Sequence, residues 1–366
     1  MSAGRRADFV YVAAVLIALA VLFVAGATDH RDATIGHSDF SYIWAGPRTI
    51  LDGGDPYDAA SWAASVARLG TEPFDDPSLY SYPPYVAVAL LPLAALPLAL
   101  AAGVWTWGGI AAAVVALRVL LRTVAPGAPV THGLAAATLL LSQPAVVSFY
   151  SGQWSFLLLA ALALAVATER RWTRAGALAV LAAKPQLGLT IVAGFALRAA
   201  RRREFATAVA TVAPWVAVVG GTALVAARWS SAWLADVPGE RIAEPHIATV
   251  AAIVGPLAAA LLIGLALLVA VAADPRRPEG AALWIAFGLL AAPYARSYDH
   301  LLLLVPIVVV APGRPALAMS ALAGLLVVPW LLFLVVAPAL GSESLAVLVP
   351  LAVFALVALA GRRRPR

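Results

Sequence analysis

The sequence predicts an all-α, polytopic integral membrane protein, and three observations support this fold class. The 366-residue chain is 63% hydrophobic and 12% charged, whereas a soluble domain is about 45 to 50% apolar and about 25% charged. The apolar residues form runs of roughly 20, the length of one transmembrane helix. Arginines cluster between these runs, as in cytoplasmic loops. We expect a single transmembrane domain over residues 1–366, with about 10 to 13 membrane helices, some of them short or re-entrant.

The charge pattern excludes several function classes. The net charge of +6 is nearly all guanidinium, because Lys184 is the single lysine. The arginines explain topology, and nothing else in the chain suggests a nucleic-acid partner. The chain has no cysteine, so a disulfide or a thiolate metal site is excluded and the redox compartment cannot be inferred.

The two ends of the chain are predicted to face the cytoplasm. Arg5 and Arg6 precede the first apolar run, residues 9–27, which places the N-terminus inside. This run is longer than a signal-peptide core, which favours an uncleaved helix. The arginine-rich C-terminus is expected inside as well. Residues 28–81 then form the first extracytoplasmic loop, which carries nine of the 19 acidic residues.

Two short helices are predicted within that loop. Apolar residues recur at helical spacing over residues 40–51, with Pro47 expected to kink the helix and Gly53 to end it. Asp58 is a candidate N-cap, and Gly70 a candidate stop, for the second helix. Both helices are expected on the outer leaflet, or else as amphipathic packing elements.

Eight further spans follow from the apolar runs, and two stretches require another arrangement. Residues 83–122 lead to the cluster with Arg118 and Arg122, and residues 175–197 lie between two basic clusters. We expect helices that enter and turn back in both stretches, which is permitted where freed backbone groups are buried or line a wet cavity. The alternative is twelve plain crossings with some arginines outside. The eight spans are residues 131–149, 154–168, 204–227, 249–272, 280–294, 299–312, 316–337 and 345–361.

Asp39 is the first candidate for chemistry. It follows the first helix and opens the helix over residues 40–51, at an apolar boundary. A carboxylate in such a place keeps a raised pKa and can act as a general base. The alternative role for Asp39, as for Ser38, is an N-cap.

Cationic candidates lie in two later segments. Lys184 lies in an apolar stretch and precedes the helix breaker Pro185, and charges at membrane depth usually face functional cavities. Its alternative is a lysine whose stem reaches the interface. Arg296 and His300 flank Asp299 at an outer helix end, where they could bind a lipid phosphate. An Arg296 to Asp299 ion pair is the alternative there.

Other polar groups carry weaker signals. His30, Asp32 and His37 match no strong metal-ligand spacing, so a solvated loop and no metal are expected. The 228–248 loop mixes both charge signs and is interpreted as a solvated face, with substrate contact as the alternative. The sequence contains no P-loop, dinucleotide fingerprint, nucleophile elbow or zinc-protease motif.

The order of several short motifs resembles the C-type glycosyltransferases, and more closely glycosyltransferase family 87, the polyprenyl-phosphate-mannose-dependent mannosyltransferases. The resemblance covers roughly residues 9–312. Its motifs are Asp39-Phe40 with Tyr42 and Ala45, Gly54-Asp55-Pro56-Tyr57, Tyr82-Pro83-Pro84, Gly152-Gln153, the run from Ala175 to Lys184-Pro185, and Tyr298 to Leu304.

The resemblance implies a C-type glycosyltransferase fold and an inverting transfer of a sugar, mannose in that family, from a polyprenyl-phosphate donor to a lipid or glycan acceptor. The reaction is implied at the outer face of the cytoplasmic membrane, without a cofactor, with Asp39 as catalytic base. We expect Lys184, Arg296, His300 and Arg48 at the donor phosphate. Substrate contacts are expected from Tyr42, Asp55, Tyr57, Tyr82, Gln153 and Tyr298.

Two other functions compete with the transferase. A lipid or solute transporter, or a flippase, would place ionisable residues along the midplane and often contain internal repeats. The chain shows no repeat, and its acids gather at one face, which favours the enzyme. A non-catalytic scaffold for envelope assembly predicts that Asp39 is dispensable.

Overall fold

The computed structural model describes residues 2–28, 38–69, 79–243 and 247–361. Within these ranges all regular secondary structure is helical and there is no β-strand, which confirms the predicted all-α class. The first half of the chain forms α1 (Ala3–Thr28), α2 (Asp39–Leu51), α3 (Ala59–Ala67), α4 (Pro84–Ala89), α5 (Leu91–Ala94), α6 (Leu98–Val124), α7 (Pro129–Leu141), α8 (Gln143–Ser151), α9 (Ser155–Ala167) and α10 (Arg171–Ala179).

The second half of the chain continues the same helical architecture. It forms α11 (Pro185–Arg201), α12 (Phe205–Val225), α13 (Ala227–Ala243), α14 (Val250–Val254), α15 (Pro256–Ala272), α16 (Pro278–Ala291), α17 (Leu304–Val310), α18 (Pro315–Leu331), α19 (Ala337–Leu340) and α20 (Leu348–Gly361). Three 3₁₀ segments, Val180–Ala183, Ser297–Leu303 and Ser344–Val347, and the π-helical turn Leu332–Val336 join them.

Several described helices are apolar and long enough to cross a bilayer. Leu98–Val124, Phe205–Val225, Pro315–Leu340 and Ser344–Gly361 meet this condition individually, and α7 with α8 meets it as one span bent by 40°. The apolar helices Ser155–Ala167, Pro256–Ala272, Pro278–Ala291 and Ser297–Val310 are shorter. All of these segments except Leu98–Val124, which lies in the stretch 83–122, overlap the eight predicted spans, and the protein is a multi-pass membrane protein.

Local sequence signals set many of the helix ends. The Asp58 side chain accepts a hydrogen bond from the Ser61 N–H at 3.0 Å and caps α3 as predicted. Gly53 follows α2 with φ +80°, a conformation that costs other residues a steric penalty. Gly70 lies outside the described residues. Proline occupies the first position of α7, α11, α15, α16 and α18, where its missing N–H costs no helical bond.

The two ambiguous stretches contain broken helices. Between residues 83 and 97 the chain forms α4 and α5, of six and four residues, which are far shorter than the roughly 20 residues of a crossing. α6 then runs unbroken to Val124. In the other stretch the helix breaks at Lys184, and α10 and α11 both pack against α12. The first stretch thus combines two short helices with one helix long enough to cross a bilayer, and the second contains a helix interrupted at Lys184. The turning back of these segments within the membrane stays a prediction.

The helix α2 packs into the protein, as the packing alternative predicted. Phe40 and Ile43 are buried in the main core, and the Trp44 indole N–H donates to the Leu96 carbonyl at 3.1 Å. Pro47 is accommodated within the helix. Aromatic rings of the turn before α3, of α3 itself and of the segment before α4 form a second cluster around Tyr57, Trp62 and Tyr80. These contacts fix the start of α2 relative to the helices around it.

Burial differs sharply between helices. α16 and Ser297–Val310 are almost wholly buried at the centre. By contrast, leucines along α15 are largely exposed, for example Leu257 at 78% and Leu261 at 71%. An apolar face of this kind is stable only against lipid or another apolar surface. The central helices therefore support a site, while α12 and α15 face outward.

Arginine contacts gather at one end of the helix bundle. Arg122, in the last turn of α6, donates to the Asp8 carboxylate near the start of α1 at 2.6 Å. Arg198, in the last turn of α11, donates to the Arg277 carbonyl just before α16 at 2.8 Å. Lys184 lies at the opposite end of α11, which at 1.5 Å per residue is about 25 Å long.

Candidate active site

A cavity of about 430 Å³ lies at the Lys184 end of α11. Its walls come from the start of α2, the turn between α8 and α9, the break before α11, the helix α13 and the segment before Ser297. Seven residues predicted from the sequence line it: Asp39, Tyr42, Tyr82, Gln153, Lys184, Arg296 and Tyr298.

The carboxylate of Asp39 projects from the first turn of α2 and is held by Gln153. The Gln153 Nε2 donates to Asp39 Oδ2 at 2.5 Å. Ser38 is the N-cap residue of α2, and no side-chain capping hydrogen bond is present there. Since Asp39 lies inside the helix, its carboxylate is turned to the cavity and does not cap the helix.

The turn that presents Gln153 depends on Gly152. This glycine has φ +70°, and a Cβ atom added to it would lie 2.5 Å from the Phe40 Cβ. The Trp105 indole N–H donates to the Gly152 carbonyl at 2.8 Å, and the Gln153 N–H donates to the Ser148 carbonyl at 3.0 Å. Only a residue without a side chain lets the turn approach α2 this closely.

The electrostatic setting of Asp39 suits a base. Burial raises the pKa of the Asp39 carboxyl above its ordinary value, while the Gln153 amide and the charges of Arg296, Lys184 and Arg241 oppose part of that rise. A carboxylate with a raised pKa accepts a proton more readily than an exposed one. The sequence prediction of a raised pKa agrees with this environment.

Lys184 forms a buried ion pair on the other side of the cavity. Its Nζ lies 2.6 Å from Asp299 Oδ1, with 5% and 0% of the two side chains exposed. The Nζ also lies 4.5 Å from the centre of the Tyr298 ring, a cation–π contact. The predicted alternative of a lysine reaching an interface is therefore wrong, because the side chain ends in the protein.

Asp299 also organises the segment that carries Arg296. Its Oδ2 accepts the Arg296 main-chain N–H at 3.2 Å, at the start of the 3₁₀ helix Ser297–Leu303. The Arg296 Nε donates to the Tyr294 hydroxyl at 3.3 Å. The ion-pair partner of Asp299 is Lys184, so the local Arg296 to Asp299 bridge considered from sequence is replaced by a main-chain contact.

The helix α13 contributes a wall of the cavity, in a segment for which substrate contact was the alternative interpretation. Residues 228–248 were interpreted as a solvated loop, but α13 spans Ala227–Ala243 and turns Trp233, Val237 and Arg241 toward the cavity. The Trp233 indole N–H donates to the Ser81 carbonyl at 3.1 Å, and Arg241 donates to the Ser81 hydroxyl. Glu244 and His246 lie outside the described residues. Two aromatic residues, Trp229 and Trp233, at helical spacing were the available signal.

Four predicted site residues do not line the cavity. Arg48 instead pairs with Asp52 one helical turn away, at 2.9 Å. Asp55 accepts the Tyr57 N–H at 2.8 Å and shapes the turn before α3. Tyr57 donates its hydroxyl to the Tyr82 carbonyl at 2.7 Å, so it supports a lining residue from behind. The three side chains lie away from the cavity because of the faces that α2 and the turn after it bury.

His300 is the fourth of these residues. It is 1% exposed and lies behind the cavity, where it borders a small enclosed space together with Gln143 and Glu343. Glu343 was not singled out from the sequence, yet it also lines the main cavity, and its Oε2 accepts the Ser297 N–H at 3.3 Å.

No group of three or more His, Asp or Glu side chains that could hold a metal ion occurs in the described ranges. The candidates His30, Asp32 and His37 lie outside those ranges.

The helices and the cavity together define a multi-pass membrane protein that places a carboxylate and several cations around one cavity. Glycosyltransferase family 87 matches residues 80–312, and the chain belongs to this family. The protein is therefore a glycosyltransferase, and the predicted family is confirmed. Comparisons with curated proteins and with solved structures gave no match. The matched range includes Gln153, Lys184 and Arg296, whereas Asp39 precedes it.

Proposed function

We propose that the protein transfers a sugar, mannose by the family resemblance, from a polyprenyl-phosphate donor to a hydroxyl of a lipid or glycan acceptor, with Asp39 as general base. One observation carries this proposal: Asp39, Lys184, Arg296 and Arg241 surround the same cavity. A base and cations around one cavity meet the two needs of the reaction, which are to remove a proton and to stabilise a departing phosphate.

The proposed step is a single displacement with inversion. The acceptor oxygen forms a bond to the anomeric carbon while the bond from that carbon to the phosphate oxygen breaks. The acceptor proton passes to Asp39, and the polyprenyl phosphate leaves with the bonding electron pair. One carboxylate suffices because the leaving group is already an anion and needs no proton.

A lipid-linked donor fits the surroundings of the cavity. The apolar faces of α12 and α15 are exposed, so the donor's long tail can remain in the membrane while its phosphate enters the polar site. Tyr42, Tyr82 and Tyr298 line the cavity and are proposed substrate contacts. Membrane lipids are the expected surroundings of both substrates.

The cavity is proposed to open at the outer face of the cytoplasmic membrane, with both termini in the cytoplasm. The arginine contacts of α6 and α11 lie at the other end of the bundle from Lys184, and arginine-rich ends face the cytoplasm. This placement would serve the assembly of envelope lipids or glycans. Membership of a glycosyltransferase family favours the enzyme over the transporter and scaffold alternatives.

The purified protein in lipid vesicles tests the proposal. It is incubated with radiolabelled polyprenyl-phosphate sugars, including mannose, or with nucleotide sugars as the matched control, and extracted envelope lipids serve as acceptors. We expect transfer from a polyprenyl-phosphate sugar alone, with the opposite anomeric configuration in the product. Transfer from nucleotide sugars, or retention of configuration, would contradict the proposal.

A further inference from the structure

We infer that Gln153 is a positioning residue for Asp39, and that it reserves one oxygen of that carboxylate, Oδ1, to receive the acceptor proton. This inference rests on the proposed function and deepens it. It replaces the sequence-based expectation that Gln153 is a substrate contact, because the Gln153 amide already donates to Asp39 Oδ2 at 2.5 Å.

The contact itself identifies which end of the amide faces Asp39. A carboxylate only accepts hydrogen bonds, so the amide nitrogen must face it, and the reversed amide would place two oxygens in contact. Charge-assisted hydrogen bonds of this kind are shorter and stronger than neutral ones. Because Oδ2 is occupied, the proton from the acceptor hydroxyl passes to Oδ1, and the new bond is O–H on Asp39.

The protein holds the Gln153 backbone from two sides. The Trp105 indole fixes the Gly152 carbonyl, and the Ser148 carbonyl accepts the Gln153 N–H at 3.0 Å. The Gln153 side chain is 6% exposed, so it loses little further freedom when a substrate binds. A base fixed before the reaction avoids the cost of orienting it during the reaction.

The carbonyl oxygen of the Gln153 side chain faces a second, smaller cavity. Gln153 and Ser148 both border a cavity of about 10 Å³ behind the main one. Gln153 Oε1 and Ser148 Oγ are buried and have no hydrogen-bond partner among the described residues. A space of this size is near the lower limit for one water molecule, which would bridge the two atoms. Such a bridge would keep the amide nitrogen directed at Asp39.

The charge of Asp39 is also influenced by other groups around the cavity. The variants compared in a pH test must therefore all keep the same charged and titratable residues around Asp39. These residues are Lys184, Arg241, Arg296, Glu343 and the four tyrosines Tyr42, Tyr82, Tyr294 and Tyr298.

The decisive experiment compares Gln153→Met with the full-length wild type in lipid vesicles. Methionine keeps the length of the side chain but cannot donate to Asp39. We expect kcat for sugar transfer to fall roughly tenfold or more, with little change in KM, and the acid limb of the pH profile to move up by about one pH unit. The sign follows because the lost donor stabilised the ionised carboxylate, so the base becomes protonated at higher pH.

Gln143→Leu is the matched control. Gln143 is equally buried, but its amide donates to the Ser297 hydroxyl at 3.0 Å and not to Asp39. The control should lower stability without moving the acid limb. An unchanged acid limb in Gln153→Met, or an effect on acceptor KM alone, would overturn the positioning role and leave the proposed function intact.

A measurement without substrate separates the two proposals. An apolar carbodiimide modifies protonated carboxyl groups, and mass spectrometry reports the modified fraction at Asp39 as a function of pH. We expect the midpoint to rise by about one pH unit in Gln153→Met and to stay constant in Gln143→Leu. Failure of transfer by the wild type with this shift present would contradict the proposed function alone. A constant midpoint would contradict the inference.

Discussion

Two carboxylates have different surroundings: Asp39, which lines the cavity, and Asp299, which lies behind the lining residue Lys184. Asp39 contacts the neutral Gln153 amide and is partly exposed to the cavity. Asp299 is fully buried and lies 2.6 Å from the Lys184 ammonium group. A carboxylate whose contact is neutral can act as a base, whereas Asp299 is engaged in a buried ion pair. Residue type alone did not separate the two roles; the partner of each carboxylate does.

Replacing Asp39 should have the largest effect on transfer. We expect Asp39→Asn to lower the rate about 10²- to 10⁴-fold, the usual contribution of a general base, in the vesicle assay. Asp52→Asn is the matched control at the other end of α2, because the C-cap residue Asp52 pairs with Arg48 and Arg68 outside the cavity. Wild-type transfer by Asp39→Asn would remove Asp39 from the mechanism.

Replacing Asp299 should instead affect the fold first. Asp299→Ala leaves the buried Lys184 ammonium without its counter-ion, which costs about 3 to 5 kcal/mol. Thermal unfolding in one detergent measures the loss. The double variant Lys184→Met with Asp299→Leu should recover much of the stability, because no buried charge remains unpaired. An unchanged unfolding temperature in Asp299→Ala would show that the pair is not a structural element.

The turn beside Asp39 can be strained without changing any charge. Gly152→Ala should cost about 1 to 2 kcal/mol from the left-handed backbone alone, and its Cβ atom would meet Phe40. We expect a lower unfolding temperature together with reduced transfer. Gly108→Ala is the control, since nothing lies within 4 Å of its added Cβ, and it should not destabilise the protein.

The pH dependence of transfer gives a further test of Asp39. Burial raises the pKa of Asp39, so transfer should decline on acidification with a midpoint above about 4, the ordinary carboxyl pKa.

The raised pKa of Asp39 also affects stability, because the carboxyl group loses its proton more readily in the unfolded state than in the folded state. Stability contributed by Asp39 is therefore lost as pH rises, and Asp39→Asn should unfold at a higher temperature near neutral pH. A lower unfolding temperature would contradict this sign.

The smallest effect is expected at the arginine end of the bundle. The Arg122 contact, with Arg118 nearby, lowers the pKa of Asp8 to about 2. This pair adds stability above the ordinary carboxyl pKa and loses it as the pH falls from that value to about 2. Solvent screens the attraction between these exposed charges. Asp8→Asn should therefore lower the unfolding temperature less than Gly152→Ala and leave transfer unchanged. A loss of transfer would link this end to the site.

Local signals accounted for much of the fold. The break at Lys184-Pro185, the Asp58 cap and the apolar spans follow from residues adjacent in the chain, because proline, capping side chains and hydrophobicity act over one helical turn or one helix. The same reasoning missed α13, since its mixed charges resemble those of a loop. It also placed Arg48 near the donor, because helical spacing does not show which face of α2 the protein buries.

The sequence by itself determined that this chain is an all-helical membrane protein, where many of its helices begin and end, and which glycosyltransferase family it belongs to. Only the tertiary structure decided that Gln153 contacts Asp39, that Asp299 neutralises Lys184, and that Arg241 faces the same cavity. These partners are separated by 114 and 115 residues in the first two cases. Their meeting depends on how distant helices pack, which no local pattern of residues specifies.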